Sequence, residues 1–481
     1  MQILLINRSF LIAIFMCCTL VSVKAQPTTQ KNKRITQWLT TGDSSILFKQ
    51  QTTAIPFSGN VSSAQVITVD DNKTYQSIDG FGFALTQGSA MHIIKMNASK
   101  RAALLRELFD TTGNNIGISY IRLSIGASDL NEKIFSYSDL PAGETDTALT
   151  RFDLGPDRAD VIPVMKEILA INPSIKILGS PWSPPAWMKN NNDTRGGRLK
   201  PEYYAAYAKY FVKYIQAMKV EGIIIDAITI QNEPLHPGNN PSLLMTAPEH
   251  TDFIKYNLGP SFKAAGINTR IIVYDHNANR PDYPIYILDD PEAKKYADGS
   301  AFHLYAGDIA ALSDVHNAHP DKNIYFTEQM VVQFGRNKNP GNPKFNIARP
   351  VERLMIGATR NWSRNVLQWN LAANSKFTPY TDRGGCDMCQ GAVSIDGDTV
   401  TRNLAYYSIA HASKFVRPGS VRIASNETEA LSNVAFKTPG GKRVLIVSNT
   451  SNQKQVFSIR FKGKTATTSL SAGSVATYLW D

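Results

Sequence analysis

Short strand-like segments alternate with helix-length segments over most of the chain, and this rhythm is the feature that most limits its fold. Helical stretches lie at residues 99–109, 157–171, 201–220, 248–265 and 347–362. Eight strand-like runs occur at residues 77–83, 119–125, 175–180, 227–231, 270–274, 301–305, 323–327 and 365–370. Eight β/α units predict an α/β fold, a closed (β/α)8 TIM barrel over residues 73–415. Functional residues of such a barrel lie at the carboxyl ends of its strands.

A period-two alternation replaces this rhythm after residue 415. It occurs at residues 421–424, 434–437, 443–448, 456–461 and 475–480, and Pro439-Gly440-Gly441 is typical of a hairpin turn between two of these strands. The pattern predicts an all-β sandwich domain at residues 416–481, joined by N-terminal strands at residues 46–72. A chain of 481 residues, 43% of them apolar, can bury the cores of both domains.

The first 25 residues have the pattern of a signal peptide. Arg8 precedes an apolar stretch at residues 10–23, and the small residue Ala25 stands before Gln26. The stretch is too short for a confident membrane span. We therefore expect an exported protein, secreted, periplasmic or associated with the cell surface, with no stable membrane insertion after cleavage. Residues 26–45 are polar and predict a flexible linker.

The formal net charge of +11 raises the question of nucleic-acid binding. The lysines and arginines are scattered, however, and the longest basic run is the short segment at residues 31–34. The sequence contains no zinc-finger or other nucleic-acid motif. A basic surface without a nucleic-acid partner is therefore the prediction, and the oligomeric state is left open.

Cys386 and Cys389 are the two cysteines outside the predicted signal peptide. A single C-x-x-C pair cannot supply four zinc ligands, and the chain has no H-x-H or H-E-x-x-H pattern to complete such a site. In an oxidising compartment a local disulfide is favoured over redox chemistry. Neither a metal nor an organic cofactor is expected.

Two glutamates follow barrel strands. Glu233, in Asn232-Glu233-Pro234, comes after the fourth strand, and Glu328 ends the seventh. Each has a structural alternative, since Glu233 could begin a helix and Glu328 could cap the next one. A pair of carboxyl groups at a barrel mouth favours glycosidic bond cleavage, in which one carboxylic acid protonates the leaving oxygen and the other group attacks the sugar carbon. Their environments must then hold the two groups in different protonation states.

Tryptophans stand at two further strand ends. Trp182 and Trp187 lie on the proline-rich loop after the third strand, and Trp369 follows the eighth. Indole rings pack well against the C–H faces of sugars, which suits the walls of a sugar site. Packing in the core is the alternative for each of them.

Other strand ends carry polar residues. Arg122 lies in the second strand and could orient a carboxylate, or form an ordinary ion pair inside the barrel. His303 and Tyr305 lie in the sixth strand, where His303 can also be explained as a buried histidine with satisfied hydrogen bonds.

Together these residues resemble glycoside hydrolase family 30, which contains glucosylceramidase. The motifs that carry the resemblance cover nearly the whole chain after the signal peptide. They are Gly80-Phe81-Gly82-Phe83-Ala84-Leu85-Thr86, residues 120–126, residues 180–187, Asn232-Glu233-Pro234, Thr327-Glu328, Trp369-Asn370-Leu371 and residues 411–415. The resemblance implies a barrel with a β-sandwich and a retaining double displacement, with Glu233 as acid/base and Glu328 as nucleophile. It also implies that six residues surround the bound sugar, namely Arg122, Trp182, Asn232, His303, Tyr305 and Trp369.

One departure from the family concerns the substrate. Glucosylceramidase-like members have an aspartate where this chain has Gln87, and an amide can donate hydrogen bonds whereas a carboxylate only accepts them. Gln87 would suit an ether O6, as in a β-1,6-linked chain, and the Cys386–Cys389 loop resembles the endo-β-1,6-glucanase branch. An endo-β-1,6-glucanase acting on β-glucan is therefore the leading prediction. The alternatives are an exo-acting β-glucosidase or glucosylceramidase and, from a different class, a non-catalytic carbohydrate-binding protein.

Overall fold

The structure is a computed structural model that describes residues 34–58, 63, 65–333 and 345–481. The predicted signal peptide at residues 1–25 lies outside the described residues, as do residues 26–33 of the predicted linker. Across the described ranges, no helix is both long and apolar enough to cross a membrane.

Four strands precede the barrel, and the first of them corrects the predicted linker. They are β1 (Arg34–Thr40), β2 (Lys49–Gln50), β3 (Ile55–Pro56) and β4 (Gln65–Ser77). Strand β1 pairs antiparallel with the last strand of the chain and buries Ile35 and Trp38. The Trp38 ring lies 4.9 Å from the ring of Phe48. The polar composition around Trp38 hid this strand, so the linker predicted at residues 26–45 was wrong from residue 34 onward.

Eight parallel strands form the predicted barrel. Hydrogen bonds join them in the order β11-β10-β9-β8-β7-β6-β5-β12. Between β11 and β12, Arg364 N donates to Ile324 O at 2.9 Å and Phe326 N donates to the Asn365 side chain at 2.9 Å. The strands are β5 (Gly80–Leu85), β6 (Tyr120–Ser124), β7 (Lys176–Ser180), β8 (Ala227–Thr229), β9 (Arg270–Ala278), β10 (Ala297–Gly307), β11 (Asn323–Glu328) and β12 (Asn365–Gln368).

Helices connect the barrel strands. Two long predicted helices, at residues 248–265 and 347–362, are each interrupted by a π-helical turn, at Ile254–Leu258 and Val351–Ile356. Pro260 and Pro350 lie in these segments, and proline lacks the N–H of a regular helical ladder. The helices are α1 (Gln87–Lys95), α2 (Ala98–Phe109), α3 (Val161–Ile171), α4 (Tyr204–Val220), α5 (Ala247–Phe253), α6 (Gly259–Ala264), α7 (Asp282–Asp289), α8 (Pro291–Lys294), α9 (Ala311–Ala318), α10 (Ala348–Pro350) and α11 (Gly357–Arg360).

The C-terminal part forms the predicted β-sandwich. Between the last barrel strand and the sandwich lie a small separate sheet and one helix, namely β13 (Ala372–Ala373), β14 (Val393–Asp396), β15 (Thr399–Arg402) and α12 (Leu404–Ser413). The sandwich strands are β16 (Val421–Ser425), β17 (Leu431–Lys437), β18 (Arg443–Asn449), β19 (Gln455–Phe461), β20 (Lys464–Leu470) and β21 (Val475–Trp480). The larger sheet has the order β2-β1-β21-β18-β17-β16-β4-β19-β20, with β3 paired to β1. Strand β20 was not predicted because its threonines obscure the apolar alternation.

Buried side chains fill the barrel interior and join it to the sandwich. A layer that includes Tyr120, Leu178 and Tyr325 occupies the barrel, so the barrel is a packed core rather than a channel. The buried His411 of α12 hydrogen-bonds to Thr40 at 2.8 Å and to Thr477 at 2.9 Å. These bonds fix the sandwich to the barrel. The carboxyl ends of the barrel strands are the expected place for a functional site.

Candidate active site

Glu233 and Glu328 meet at the carboxyl ends of the barrel strands. Glu328 is the last residue of β11, and Glu233 lies four residues after β8 with a positive φ of 45°, a conformation that L-residues adopt only under constraint. Both side chains are mostly buried. A carboxylate oxygen of each lies within 4.8 Å of the other. Retaining glycosidases hold their two carboxyl groups about 5–5.5 Å apart, against roughly 6.5–9.5 Å in inverting enzymes, so this geometry suits retention.

Arg122 organises one half of the site. Its fully buried guanidinium donates from Nη1 to Oε2 of Glu328 at 2.5 Å. From Nη2 it donates to Oδ1 of Asn232 at 2.7 Å and to Oδ2 of Asp275 at 2.8 Å. Its Nε donates to the Ser180 hydroxyl at 3.1 Å. Charge-assisted bonds of this kind favour the ionised form of Glu328 and fix its orientation.

Tyr305 binds the second oxygen of Glu328. The Tyr305 hydroxyl lies 3.0 Å from Oε1 of Glu328 and accepts the backbone N–H of Met330 at 3.0 Å. Because the hydroxyl already accepts one hydrogen bond, its own proton is directed at Glu328. Both oxygens of Glu328 thus accept hydrogen bonds from residues of other barrel strands, Arg122 on β6 and Tyr305 on β10.

His303 connects Glu233 to a buried aspartate. Its Nδ1 lies 3.1 Å from Oε1 of Glu233, and its Nε2 lies 3.1 Å from Oδ1 of Asp275. Burial by itself would lower the pKa of His303, but the charge of Glu328 and the bonds to Asp275 and Glu233 raise it to about 9. Both ring nitrogens therefore carry protons at neutral pH, and His303 is an imidazolium between two carboxylates.

Asp275 is a central residue that the sequence did not reveal. Its fully buried carboxylate also accepts the hydroxyls of Thr229 and Thr327, both at 2.6 Å. Ala301 of β10 pairs with Tyr274 of β9 and the next β10 residue pairs with His276, so Asp275 is an extra residue in a β-bulge, with φ of 66°. Burial opposes its charge, but Arg122 and His303 hold its pKa well below the usual range.

The two glutamates influence each other's ionisation. Burial raises the pKa of Glu233, but the bond and charge of His303 lower it, and the balance lies below the usual value. For Glu328, burial together with the charge of Glu233 outweighs the opposing charges of His303 and Arg122, so its pKa lies above the usual value. Groups this close titrate as a pair, and proton uptake by the site belongs to both.

The same cluster has the spacing of a metal site but not its chemistry. One ligand atom each from Glu233, His303 and Glu328 lie within 4.8 Å of one another. Nδ1 of His303 faces Glu233 and Nε2 faces Asp275, and the raised pKa of His303 favours a proton on each nitrogen at neutral pH. In that protonation state the ring has no lone pair to offer a metal ion.

Trp182 and Trp369 lie beside Arg122. Their ring centroids are 5.3 Å apart, and the Arg122 guanidinium lies 4.9 Å from the Trp182 ring. The two indoles are only 2% and 3% exposed, so packing accounts for most of their surface. Trp187 is also buried and donates its indole N–H to Ser138 O at 2.9 Å.

Gln87 is the predicted site residue that the structure does not connect to the glutamates. Its side-chain oxygen accepts a hydrogen bond from Nδ2 of Asn131 at 2.7 Å. Asp129, on the same loop as Asn131, is a further carboxyl group that the sequence did not single out. Burial and the charges of Glu328 and Glu233 raise the pKa of Asp129 to about 8.

The remaining predicted pair, Cys386 and Cys389, is joined by a disulfide with a Cα–Cα distance of 5.6 Å. Cys389 belongs to one apolar cluster with Ala84, Leu130, Trp182 and Trp369. The disulfide therefore lies beside the indole pair rather than at a distant surface.

The chain is similar to known proteins over most of its length. The chain is 34% identical over 434 residues to an endo-1,6-β-D-glucanase of Aspergillus fumigatus, covering 84% of this chain and 86% of that protein. It is 35% identical over 403 residues to an endo-1,6-β-D-glucanase of Neurospora crassa, covering 80% and 81%. The solved structure of an endo-β-1,6-glucanase superposes with a TM-score of 0.85 at 34% identity, covering 93% of this chain and 99% of that one.

Two family models also match the chain. Residues 78–416 match the glycosyl hydrolase family 30 TIM-barrel domain, and residues 419–478 match the glycosyl hydrolase family 30 β-sandwich domain. These ranges correspond to the barrel and to most of the C-terminal sandwich strands described above. The chain therefore belongs to glycoside hydrolase family 30, a family of retaining glycosidases.

Proposed function

We propose that this protein is an endo-β-1,6-glucanase, with Glu233 as the acid/base and Glu328 as the nucleophile. The observation that carries the chemistry is the pair of carboxyl groups within 4.8 Å. Support for the linkage comes from the names of the relatives that share about a third of their residues with nearly the whole chain.

In the first step, an oxygen of Glu328 attacks the anomeric carbon of the sugar bound before the cleaved bond. The glycosidic C–O bond breaks as Glu233 gives its proton to the leaving oxygen, and a covalent glycosyl-enzyme forms. Arg122 and Tyr305 hold Glu328 through its two oxygens, which aims the attacking group before the reaction begins.

In the second step, Glu233 acts as a base. It takes a proton from water, the water oxygen attacks the anomeric carbon, and the bond to Glu328 breaks to restore the carboxylate. Two displacements at one carbon leave the anomeric configuration unchanged.

The charges and hydrogen bonds of the protein alone order the two pKa values oppositely to what these roles need, and the charge that develops in the transition state opposes that order. Positive charge develops on the anomeric carbon beside Glu328 and favours its carboxylate. The proton for Glu233 is close by, because the imidazolium of His303 holds it 3.1 Å from Oε1. Transfer along this bond turns an ion pair into a neutral acid and a neutral imidazole.

The contribution of Gln87 to linkage is indirect in this proposal. Since Gln87 is bonded to Asn131, it shapes the loop that carries Asp129. A protonated Asp129 can donate a hydrogen bond to an ether oxygen. This would replace the direct contact expected of Gln87.

An exo-acting β-glucosidase or glucosylceramidase is the second candidate, because the family contains such enzymes. A carbohydrate-binding protein without activity is the third. The presence of both glutamates, with both oxygens of Glu328 held by Arg122 and Tyr305, argues against it. We also infer export of the protein, from the signal-peptide pattern of residues 1–25.

A panel of β-glucans with different linkages tests the proposal, with products followed by size over time. Linear β-1,6-glucan should give a mixture of short oligosaccharides early in the reaction, and β-1,3- and β-1,4-glucans should resist. Release of glucose alone, together with efficient cleavage of a chromogenic β-glucoside, would favour the exo-acting alternative. Glu328→Gln serves as the control, since it should bind the same glucan without cleaving it.

A further inference from the structure

The loop at residues 380–391, which we call the cysteine loop, follows the eighth barrel strand and contacts three other loops at the barrel mouth. Its contacts are Thr381 N–H to Asp129 O at 3.0 Å, Asn240 Nδ2 to Asp382 Oδ1 at 3.0 Å, and Arg383 to Asp193 at 3.0 Å. These partners lie on the loops after the second, fourth and third barrel strands. The loop therefore holds one side of the mouth together.

The glycines of the loop permit this close approach. Gly384 has φ of +136°, and a Cβ there would lie 2.4 Å from the carbonyl oxygen of Gly238. A Cβ at Gly391 would lie 2.6 Å from the backbone of Ala372. Neither contact is compatible with a side chain, which explains the glycines on both sides of the C-x-x-C pair.

The disulfide of this loop is the outermost part of a packed series that ends at Glu328. Cys389 shares an apolar cluster with Trp182 and Trp369. The guanidinium of Arg122 lies 4.9 Å from the first of these indoles and 6.0 Å from the second. Arg122 in turn holds Oε2 of Glu328 at 2.5 Å. A cation over an indole ring is a favourable contact.

Overall stability does not explain such a disulfide well. The two cysteines are only three positions apart in the sequence. A small closed loop restricts the unfolded chain less than a long one does, so its effect on folding is at the low end for disulfides. Its position beside the site is the more informative property.

We propose that the Cys386–Cys389 disulfide positions the Trp182–Trp369 pair, and through that pair the Arg122 guanidinium that orients Glu328. Both cysteines are positioning residues, because neither touches the reacting atoms. This inference rests on the proposed function only in the role assigned to Glu328.

The test compares the oxidised enzyme, the enzyme treated with dithiothreitol, and the double variant Cys386→Ser/Cys389→Ser. Dithiothreitol supplies two electrons and two protons to the disulfide and becomes a cyclic disulfide itself, and the partly exposed Cys386 gives it access. Opening the bond should lower kcat/KM on the order of tenfold, because small displacements of catalytic groups cost much rate. It should also move the acidic limb of the pH profile to higher pH, because a displaced Arg122 stabilises the Glu328 carboxylate less.

The double variant is the matched control for the reductant and should not respond to it. A second comparison introduces Trp182→Phe. If the disulfide acts through this indole, opening it in the Trp182→Phe enzyme should cost clearly less than in the wild type.

Two results would overturn the inference. One is an unchanged acidic limb in both opened forms, with any loss of activity following a fall in Tm, which would mean that the disulfide only stabilises the loop. The other is an equal loss with and without Trp182→Phe. If this protein cleaved another β-glucoside instead and still showed the expected loss of kcat/KM and shift of the acidic limb, the linkage proposal would be refuted. The inference about the disulfide would then still hold.

Discussion

His303 donates from Nδ1 to Oε1 of Glu233 at 3.1 Å, so the proposed acid/base is bonded to an imidazolium whose other nitrogen is also hydrogen-bonded. The opposite nitrogen of His303 bonds to Asp275, and Asp275 also binds Arg122, which orients Glu328. One buried carboxylate thus supports both halves of the site. Its loss should affect both glutamates together.

The first prediction concerns Asp275→Asn, which keeps the shape of the side chain and removes its charge. His303 loses a carboxylate partner, its pKa falls, and the alkaline limb of the kcat/KM profile should move to lower pH. Loss of a charged partner should reduce kcat on the order of 10-fold to 100-fold, since effects of oriented polar groups reach this size. Stopped assays between pH 4 and pH 10, with a linear β-1,6-glucan as substrate, measure both.

Asp226→Asn is the matched control for that variant. Asp226 forms an ion pair with Lys176 at 2.6 Å at the opposite end of the barrel strands, so its removal should leave the pH profile unchanged. An Asp275→Asn enzyme with the wild-type alkaline limb would contradict the role assigned to Asp275.

The second prediction concerns stability and follows from the raised pKa of His303. The folded protein holds this proton up to about pH 9, whereas an unfolded histidine releases it near the ordinary pKa of 6.5. Stability from His303 is therefore fully present below about pH 6.5 and is lost as the pH rises through 9. The loss is on the order of 3 kcal/mol, from the size of the shift.

Denaturant unfolding of the wild type and of His303→Asn at a series of pH values measures this contribution. The difference in unfolding free energy should be largest near pH 6 and should shrink toward pH 10. A difference that stays constant over the whole range would show that His303 is neutral in the folded protein.

Much of this architecture was predictable because its elements are regular. The eight barrel strands were found from short apolar runs between helices, and Glu233 and Glu328 were found because strand ends have a fixed place in a barrel. Tyr305 and Arg122 lie on the same ends. Regular periodicity therefore predicted which of these residues meet at one end of the barrel.

The missed residues depend on local irregularity or on contacts between distant segments. Asp275 lies in a β-bulge, which breaks the alternation that tells inward from outward positions. Strand β1 is polar in composition and is held by pairing with β21, more than 400 residues away. The bond between Gln87 and Asn131 likewise depends on how two loops meet, which the sequence pattern does not reveal.

The third prediction is that Tyr305→Phe weakens the nucleophile. The variant removes the hydroxyl that donates to Oε1 of Glu328 at 3.0 Å, so the carboxylate loses one of its two donors. The pKa of Glu328 should rise, and the acidic limb of kcat/KM should move to higher pH with a loss of roughly tenfold in kcat. An acidic limb identical to that of the wild type would exclude this contact as a determinant of Glu328 ionisation.

The last prediction separates the roles of the two glutamates by the stereochemistry of a rescued product. Each is replaced by alanine, and the substrate is a β-1,6-linked gluco-oligosaccharide that carries a good leaving group on its β-anomeric carbon, tested with and without azide. Removing the acid/base should slow turnover by about 10²–10⁴-fold, and removing the nucleophile should slow it at least as much. In Glu233→Ala, Glu328 still forms the glycosyl-enzyme, and azide then attacks from the opposite face to give the β-glucosyl azide. In Glu328→Ala, azide occupies the place of the missing carboxylate and attacks the β-glucoside directly, which gives the α-glucosyl azide.

Proton NMR distinguishes the two anomers by the coupling at the anomeric hydrogen. If the two variants gave the opposite anomers, the roles of Glu233 and Glu328 would be exchanged. A β-azide from Glu233→Ala and an α-azide from Glu328→Ala would instead agree with the bonds from Arg122 and Tyr305, which hold Glu328 as the attacking group.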